Sequence, residues 1–288
     1  RIYVTFGASS GQVAGLPNVI VVDGTDVSSK MAAANVYTTG VGAGWIDITS
    51  EVGSVFNTIV MTGTGGRSNP SIYAVEVNGQ ILIDAVSLTS WTDLSGNSNN
   101  GTLTNGPTFS NVNGGSIVFD GVNEYGLTAN LLNPTTFPNE SVFVWFYPTS
   151  AGQIVSELGQ ATIDTGWHDS NIEISSGGVI SFATWSGSLT NKVVSTAKSF
   201  NTWYQLGFTY SGTTLTAYIN GASIGTTTFT RQTTTSLYFG LCAIDSITNM
   251  GTAGYAGGRM GNFMFYNRGL SSTEVLQNYN ATKNRFGL

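Results

Sequence analysis

The sequence predicts an all-β chain: an antiparallel two-sheet jelly-roll sandwich over residues 87–288, preceded by a small β-rich unit over residues 1–86 and closed by one short helix. Three observations carry this. Short runs rich in Val, Ile, Thr, Tyr and Phe recur along the chain between Gly- and Asn-rich turns, the rhythm of a sandwich. Charged residues make up only 9% of the 288 positions, against roughly 25% in an ordinary soluble domain. Two Asn-Gly pairs, Asn78-Gly79 and Asn220-Gly221, each separate strand-like runs. Both residues of such a pair accept positive φ, which favours a two-residue hairpin turn.

In the first unit the strand-like runs are 2–6, 18–22, 45–49, 58–62, 72–77 and 80–83, with a loop at 63–70. A change of character over 85–98 marks the boundary. Beyond it the runs are 116–119, 142–147, 153–156, 171–175, 179–184, 203–210, 214–220, 222–228, 236–241 and 259–266. Alternation is clearest in Tyr204, Leu206, Phe208 and Tyr210, with Gln205, Gly207 and Thr209 on the other face. Leu215, Ala217 and Ile219 repeat it. Near the end, Ser271 and Glu274 have the Ser-x-x-Glu spacing of a capping box. Val275, Leu276 and Tyr279 then form an apolar stripe, which predicts a helix over about 272–282 packed on the sandwich edge.

The run 142–147 is apolar on both faces, whereas a sheet facing water on one side should alternate. This strand is expected to be covered on both sides, or to meet the N-terminal unit or a neighbouring subunit. With so few charges, it points to a homo-oligomer or a larger particle. Trp145, Trp203 and Phe208 are expected in the core.

Bulk chemistry excludes several classes. The formal net charge is −6, and the 10 Lys and Arg residues are scattered, whereas a phosphate-binding surface needs them clustered. Nucleic acid is therefore not an expected partner. No apolar stretch approaches the ~20 residues of a membrane-spanning helix, so no membrane insertion is expected. Cys242 is the only cysteine and reads as a small buried hydrophobe; the lack of disulfides points to a bacterial or viral source. The chain starts at Arg1 rather than Met, which reads as an N-terminus cleaved or not included.

Several stretches look familiar. Trp91-Thr-Asp93-Leu-Ser-Gly96, with Asn99-Asn-Gly-Thr-Leu103 and Gly106-Pro-Thr-Phe109, resembles the entry of laminin-G-like domains of the concanavalin A-like lectin/glucanase superfamily. Ser116-Ile-Val-Phe-Asp120-Gly-Val-Asn-Glu-Tyr125 resembles that family's next strand and turn, and Ser141-Val-Phe-Val-Trp-Phe-Tyr-Pro148 its aromatic core strand. Trp203-Tyr-Gln-Leu-Gly-Phe-Thr-Tyr210 and Leu215-Thr-Ala-Tyr-Ile-Asn-Gly221 resemble its central hairpin. Gly261-Asn-Phe-Met-Phe-Tyr-Asn-Arg-Gly-Leu-Ser271 resembles its last strand. These pieces stand in the family's order over residues 88–288. The closing run from Glu274 to Leu288 is similar to the tails of such domains in bacteriophage structural proteins. The segment from Ile72 to Asp84 resembles one found ahead of them in phage tail and virion proteins. The resemblance implies a lectin-like module on a virion surface (tail fibre, spike or capsid decoration), with other virion proteins and a host-surface glycan as partners.

No catalytic residue is singled out. Glycosidases of this fold need two carboxylates roughly 5–5.5 Å apart, which on one strand means acids at alternating positions, as in Glu-x-Asp-x-x-Glu. Glu173 instead stands between Asn171 and Ser175. His168 is the only histidine, and no Gly-x-Ser-x-Gly elbow accompanies it; it reads as a loop residue. Thr162-Ile-Asp164-Thr-Gly166-Trp167 resembles a sialidase Asp-box with its tryptophan misplaced.

For glycan binding, an aromatic platform with nearby amides and carboxylates is needed, and Trp167, His168, Asp169, Trp185 and Tyr255 are the expected set. For calcium, Asp93, Asn97, Asp120, Asn123 and Glu124 could supply oxygens. The family's calcium-binding members often place an acidic pair where this chain has Gly261-Asn262; local turn capping is the competing role for these residues. The function expected is non-enzymatic display and binding on a phage virion. The alternatives are a carbohydrate-binding module of a secreted bacterial adhesin or polysaccharide-degrading enzyme and, at a distance, a glycoside hydrolase.

Overall fold

The computed structural model describes residues 2–7, 19–22, 24–27, 41–48, 50, 59–62, 71–77, 80–82, 88–188, 190–248, 251 and 254–288. The chain divides into two compact units, Arg1–Val86 and Ser87–Leu288. In the first, the strands are β1 (Ile2–Gly7), β2 (Val19–Val22), β3 (Thr25–Asp26), β4 (Val41–Ile46), β5 (Ile59–Thr62), β6 (Ser71–Val77) and β7 (Gln80–Leu82). They form an antiparallel sheet ordered β4-β1-β6-β7 and a second ordered β3-β2-β5. The fourth strand runs over Val41–Ile46 rather than 45–49. Val77 pairs with Gln80 across Asn78-Gly79, a pair that itself lies outside the described residues, as does the loop expected at 63–70.

The second unit contains β8 (Ser90–Trp91), β9 (Gly101–Thr104), β10 (Thr108–Ser110), β11 (Ser116–Asp120), β12 (Tyr125–Leu127), β13 (Glu140–Pro148), β14 (Gly152–Leu158), β15 (His168–Ile174), β16 (Ile180–Phe182) and β17 (Val193–Val194). These are followed by β18 (Tyr204–Ser211), β19 (Thr214–Ile219), β20 (Ala222–Thr228), β21 (Tyr238–Leu241), β22 (Gly257–Tyr266) and one helix, α1 (Ser272–Thr282). The strands build two antiparallel sheets, of seven strands (β10-β11-β22-β13-β18-β19-β20) and eight (β17-β16-β15-β14-β21-β12-β9-β8). This is the jelly-roll sandwich that the strand rhythm predicts.

The alternating residues explain the packing. Tyr204, Leu206, Phe208 and Tyr210 join Val142, Val144 and Phe146 of β13, and Ile172, Ile174, Phe182 and Phe239 of the other sheet, in one buried core. The hairpin at Asn220 (φ 53°) and Gly221 (φ 75°) takes the expected left-handed pair. A Cβ on Gly221 would lie 2.9 Å from that of Tyr279, so glycine here also lets α1 approach the hairpin.

The two-faced apolar strand is covered by the unit's own C-terminus. Phe143 packs with Tyr218, Leu270 and Val275, and Trp145 with Trp203 and Phe286. Trp145 is fully buried: its ring stacks on Phe286 at 4.3 Å and on Tyr279 at 5.8 Å, and its Nε1 donates to Thr282 Oγ1 at 2.9 Å. The outer face of β13 therefore needs no neighbouring subunit to shield it. Helix α1 occupies Ser272–Thr282, with both halves of the Ser271/Glu274 capping box formed.

Candidate functional site

Two features of the sandwich could meet a ligand: a groove at its edge and a corner where two loops converge. The groove encloses 760 Å³ and is lined by 91–95, Asn97, Asn99, 130–133, Leu241 and 262–267. Leu241, Phe263 and Phe265 belong to or pack against the core, and they give it an apolar lining. Trp91 is half-buried and Leu94 is exposed. The polar lining is mostly amide. Asn130 Oδ1 accepts from the backbone N–H of Leu132 and Leu237, at 3.1 and 3.0 Å. Asn133 Oδ1 accepts from the N–H of Thr135. Both NH2 groups are left as donors. Among the described residues Asp93 is the only acid in the lining. Hydrogen bonds from Ser95 and Asn99 hold its carboxyl below the usual carboxylate range.

The corner lies where the loop joining β14 to β15 meets the segment after β21. His168 Nδ1 is 2.8 Å from Asp245 Oδ1, and Asp164 Oδ1 accepts from Ser246 N–H at 2.6 Å. Asp164, His168 and Asp245 bring one ligand-type atom each within 4.8 Å of one another. Asp245 Oδ1 also accepts from Ile247 N–H, while its Oδ2 is buried and has no hydrogen-bond partner. Burial raises the Asp245 carboxyl above its ordinary range, and hydrogen bonds from Ile247 and His168 oppose this. The 242–248 segment is strapped to the eight-stranded sheet: Cys242 N–H donates to Ile154, Asp245 N–H donates to Gln153 Oε1, and Ser170 N–H donates to Ile247. A Cβ on Gly240 would lie 2.7 Å from that of Ala243. Cys242 is fully buried, and burial pushes its thiol well up, so it is a neutral packing residue.

The expected glycan set is not a single platform. Asp169 is inside β15 rather than in a loop and is 1% exposed. It pairs in the ladder with Glu157; burial and the Glu157 charge push its carboxyl well up. It cannot touch a ligand in this state. His168 begins the same strand rather than occupying a loop, and its side chain is 10% exposed. Trp167 packs against the core with Nε1 buried. Trp185 is half-buried, and its backbone N–H donates to Glu157 Oε1 at 2.9 Å. Tyr255 is half-buried beside Tyr125, with ring centroids 6.5 Å apart. None of the five lines the groove.

The oxygens proposed for calcium cap two separate turns. Asp93 accepts from Ser95 and Asn99 N–H. Asp120 accepts from Val122 and Asn123 N–H, and Glu124 from Asp120 N–H. The carboxylates of Asp93, Asp120 and Glu124 do not converge, and among the described residues the converging group is the one at Asp164.

Sequence reasoning missed one more constellation. Arg231 is fully buried between Glu140 of β13 and Glu157 of β14. The strand His168–Ile174 also carries two acids, Asp169 and Glu173, both buried. The β14–β15 register slips between Gln153 and Val155 and again between Val155 and Ser156, so counting alternate positions does not tell which acids share a face. Paired acids do exist in this chain, but they are packed inside it.

Comparison with known proteins agrees with this architecture. A family model described as concanavalin A-like lectin/glucanases superfamily matches residues 119–276, more than half of the chain. The binding domain of botulinum neurotoxin DC, solved in complex with SialylT, is similar with a TM-score of 0.50 and 11% identity, over 73% of this chain and 50% of that one. Trypanosoma rangeli sialidase, in complex with the inhibitor DANA, gives 0.50 and 12%, over 67% and 31%. Domain 4 of AbnA, a GH43 extracellular arabinanase from Geobacillus stearothermophilus, in complex with arabinotriose, gives 0.46 and 15%, over 64% and 90%. At these identities the likeness is one of fold, carried by the two neighbours at 0.50. A search of curated proteins found no match. The chain belongs to the concanavalin A-like lectin/glucanases superfamily.

Proposed function

We propose that this protein is a non-enzymatic carbohydrate-binding display protein whose sandwich takes a glycan in the groove beside Trp91. The carrying observation is the groove's lining: a half-buried indole, a floor of core side chains, and amides from Asn97, Asn99, Asn130 and Asn133. A sugar ring has an apolar face and a polar rim, and such a lining matches both. The similar proteins solved with SialylT and DANA make a glycan the natural first ligand class to try. A binding role is favoured over hydrolysis because, among the described residues, the groove holds one acid, Asp93, whereas glycoside hydrolysis needs two. The remaining acids of the central strands, Glu140, Glu157, Asp169 and Glu173, are buried.

The setting we infer is the surface of a bacteriophage virion. Its support is the resemblance of residues 72–84 and 274–288 to segments of phage virion proteins. A glycan array probed with the full chain, followed by titration of the best ligand, tests the binding role. Trp91→Ala should weaken binding at least tenfold, about 1.4 kcal/mol, while the fold stays intact. Unchanged affinity in that variant, or release of reducing sugar by the wild type, would count against the reading. Antibody labelling of purified phage particles tests the setting.

A further inference from the structure

We propose that Asp164, His168 and Asp245 form a binding site for a divalent transition-metal ion of the zinc class. The three side chains come from two segments distant in sequence, the β14–β15 loop with the first residue of β15, and the segment after β21, and their ligand atoms lie within 4.8 Å of one another. One imidazole and two carboxylates make a mixed nitrogen–oxygen donor set, which suits zinc better than calcium, whose sites are all oxygen.

The independent observation is Asp245 Oδ2. The Asp245 side chain is 0% exposed, yet this oxygen has no hydrogen-bond partner. A buried acceptor left unpaired costs about 1–3 kcal/mol, and a cation between the three groups would offset that cost. Asp245 is also held from both sides of its backbone by Gln153, whose Oε1 accepts from the Asp245 N–H and whose Nε2 donates to its carbonyl. The ligand is therefore fixed before any ion arrives. Asp164 is only half-buried, so it gives the ion a route from solvent. Bound to the ion, His168 gives one ring nitrogen and keeps its single proton on the other, while Asp245 offers Oδ2. Three protein ligands leave a fourth position for water.

The test uses the full, tag-free chain, stripped with EDTA and titrated calorimetrically with zinc, manganese and calcium chlorides. One zinc ion per chain should bind, more tightly than calcium. At 100 times its dissociation constant it should raise the sandwich's melting midpoint by roughly 5–10 °C. Asp164→Asn and His168→Gln should each weaken zinc at least tenfold. Asp164→Asn alters a half-exposed side chain, so it keeps the test valid if His168→Gln unfolds. Cobalt(II) gives a second readout: a visible ligand-field band with the wild type that is lost in Asp164→Asn. Absence of zinc binding, affinity unchanged in the folded variants, or calcium binding tighter than zinc would each overturn the site.

Discussion

Arg231 Nη1 lies 2.9 Å from Glu140 Oε2, and Nη2 of the same guanidinium bonds Glu157, so one buried cation joins carboxylates from opposite sheets. The arginine stands in the connection between β20 and β21 and is 3% exposed. Its Nη1 also donates to the Pro138 carbonyl at 3.2 Å, and the guanidinium lies 4.7 Å from the centre of the Phe137 ring. Removing the cation alone leaves two carboxylates in the interior. Breaking one side of a buried ion group costs about 3–5 kcal/mol, whereas replacing the whole group with apolar residues is often tolerated. Arg231→Met should therefore destabilise the sandwich by about that amount. Adding Glu140→Gln and Glu157→Gln in the same chain should recover part of the loss. Urea unfolding of the single and triple variants measures both; equal losses would contradict the account.

Two carboxylates share one guanidinium, so one of them carries a surplus charge. Burial, with the Glu157 charge adding and Arg231 opposing, pushes Glu140 up from 4.5 to about 7. The folded state therefore holds the Glu140 proton more tightly than the unfolded chain does. Its contribution to stability is fully present below pH 4.5 and is lost as the pH rises through about 7. Asp169 and Asp245 are raised as well, and slope the same way. Glu140→Gln should flatten the fall in stability between pH 5 and 8 by a few kcal/mol. The check is the midpoint of urea unfolding across that range, compared with wild type.

The sandwich core was readable because its signals are local. The alternation of Tyr204, Leu206, Phe208 and Tyr210 appears within one run of sequence, and all four reach the core. Asn220-Gly221 and the Ser271/Glu274 box are likewise neighbours in sequence. The ionic group was not readable, because Arg231 stands 74 positions from Glu157 and no local pattern links them. The metal-type corner had the same obstacle, with 77 positions between His168 and Asp245. Among the described residues six strands were also missed: β3, β8, β9, β10, β12 and β17 hold two to four residues each, too few for a period of two to register. The groove was missed with them, since Trp91 belongs to β8 and Asn130 and Asn133 follow β12. Asp169 was placed in a loop because the polar run 168–171 carries no apolar alternation, although it forms the first half of β15.

The capping box gives the acid side of the pH profile. The Arg268 guanidinium, 2.8 Å away, and hydrogen bonds from Ser271 lower Glu274 to about 2. Its folded-state pKa lies below the ordinary 4.5, so this contribution is present above pH 4.5 and is lost as the pH falls toward 2. Set against the opposite slope from Glu140, it predicts greatest stability in mildly acidic solution, near pH 4–5. Ser271→Ala should cost about 1 kcal/mol at neutral pH. Thermal melts from pH 3 to 8 locate the maximum; an optimum at pH 7 or above would contradict the opposed slopes.

Phe286 closes the outer layer. It stacks on Trp145 at 4.3 Å and meets Trp203 at 4.6 Å, and a Cβ on Gly261 would lie 2.5 Å from its ring. Glycine at 261 therefore makes the slot that this ring fills. Asn113 and Arg285 secure the turn that presents it: the Asn113 amide donates to the Arg285 carbonyl, and Arg285 Nε donates to the Asn113 carbonyl at 2.8 Å. Removing a buried aromatic ring costs about 3–5 kcal/mol where the site cannot collapse. Phe286→Ala should cost that much. It should also red-shift the fluorescence of Trp145 and Trp203, which are 0% and 6% exposed in the wild type. Gly261→Ala should act in the same direction by displacing the ring. A wild-type emission maximum in the Phe286→Ala variant would mean that another residue shields the tryptophans.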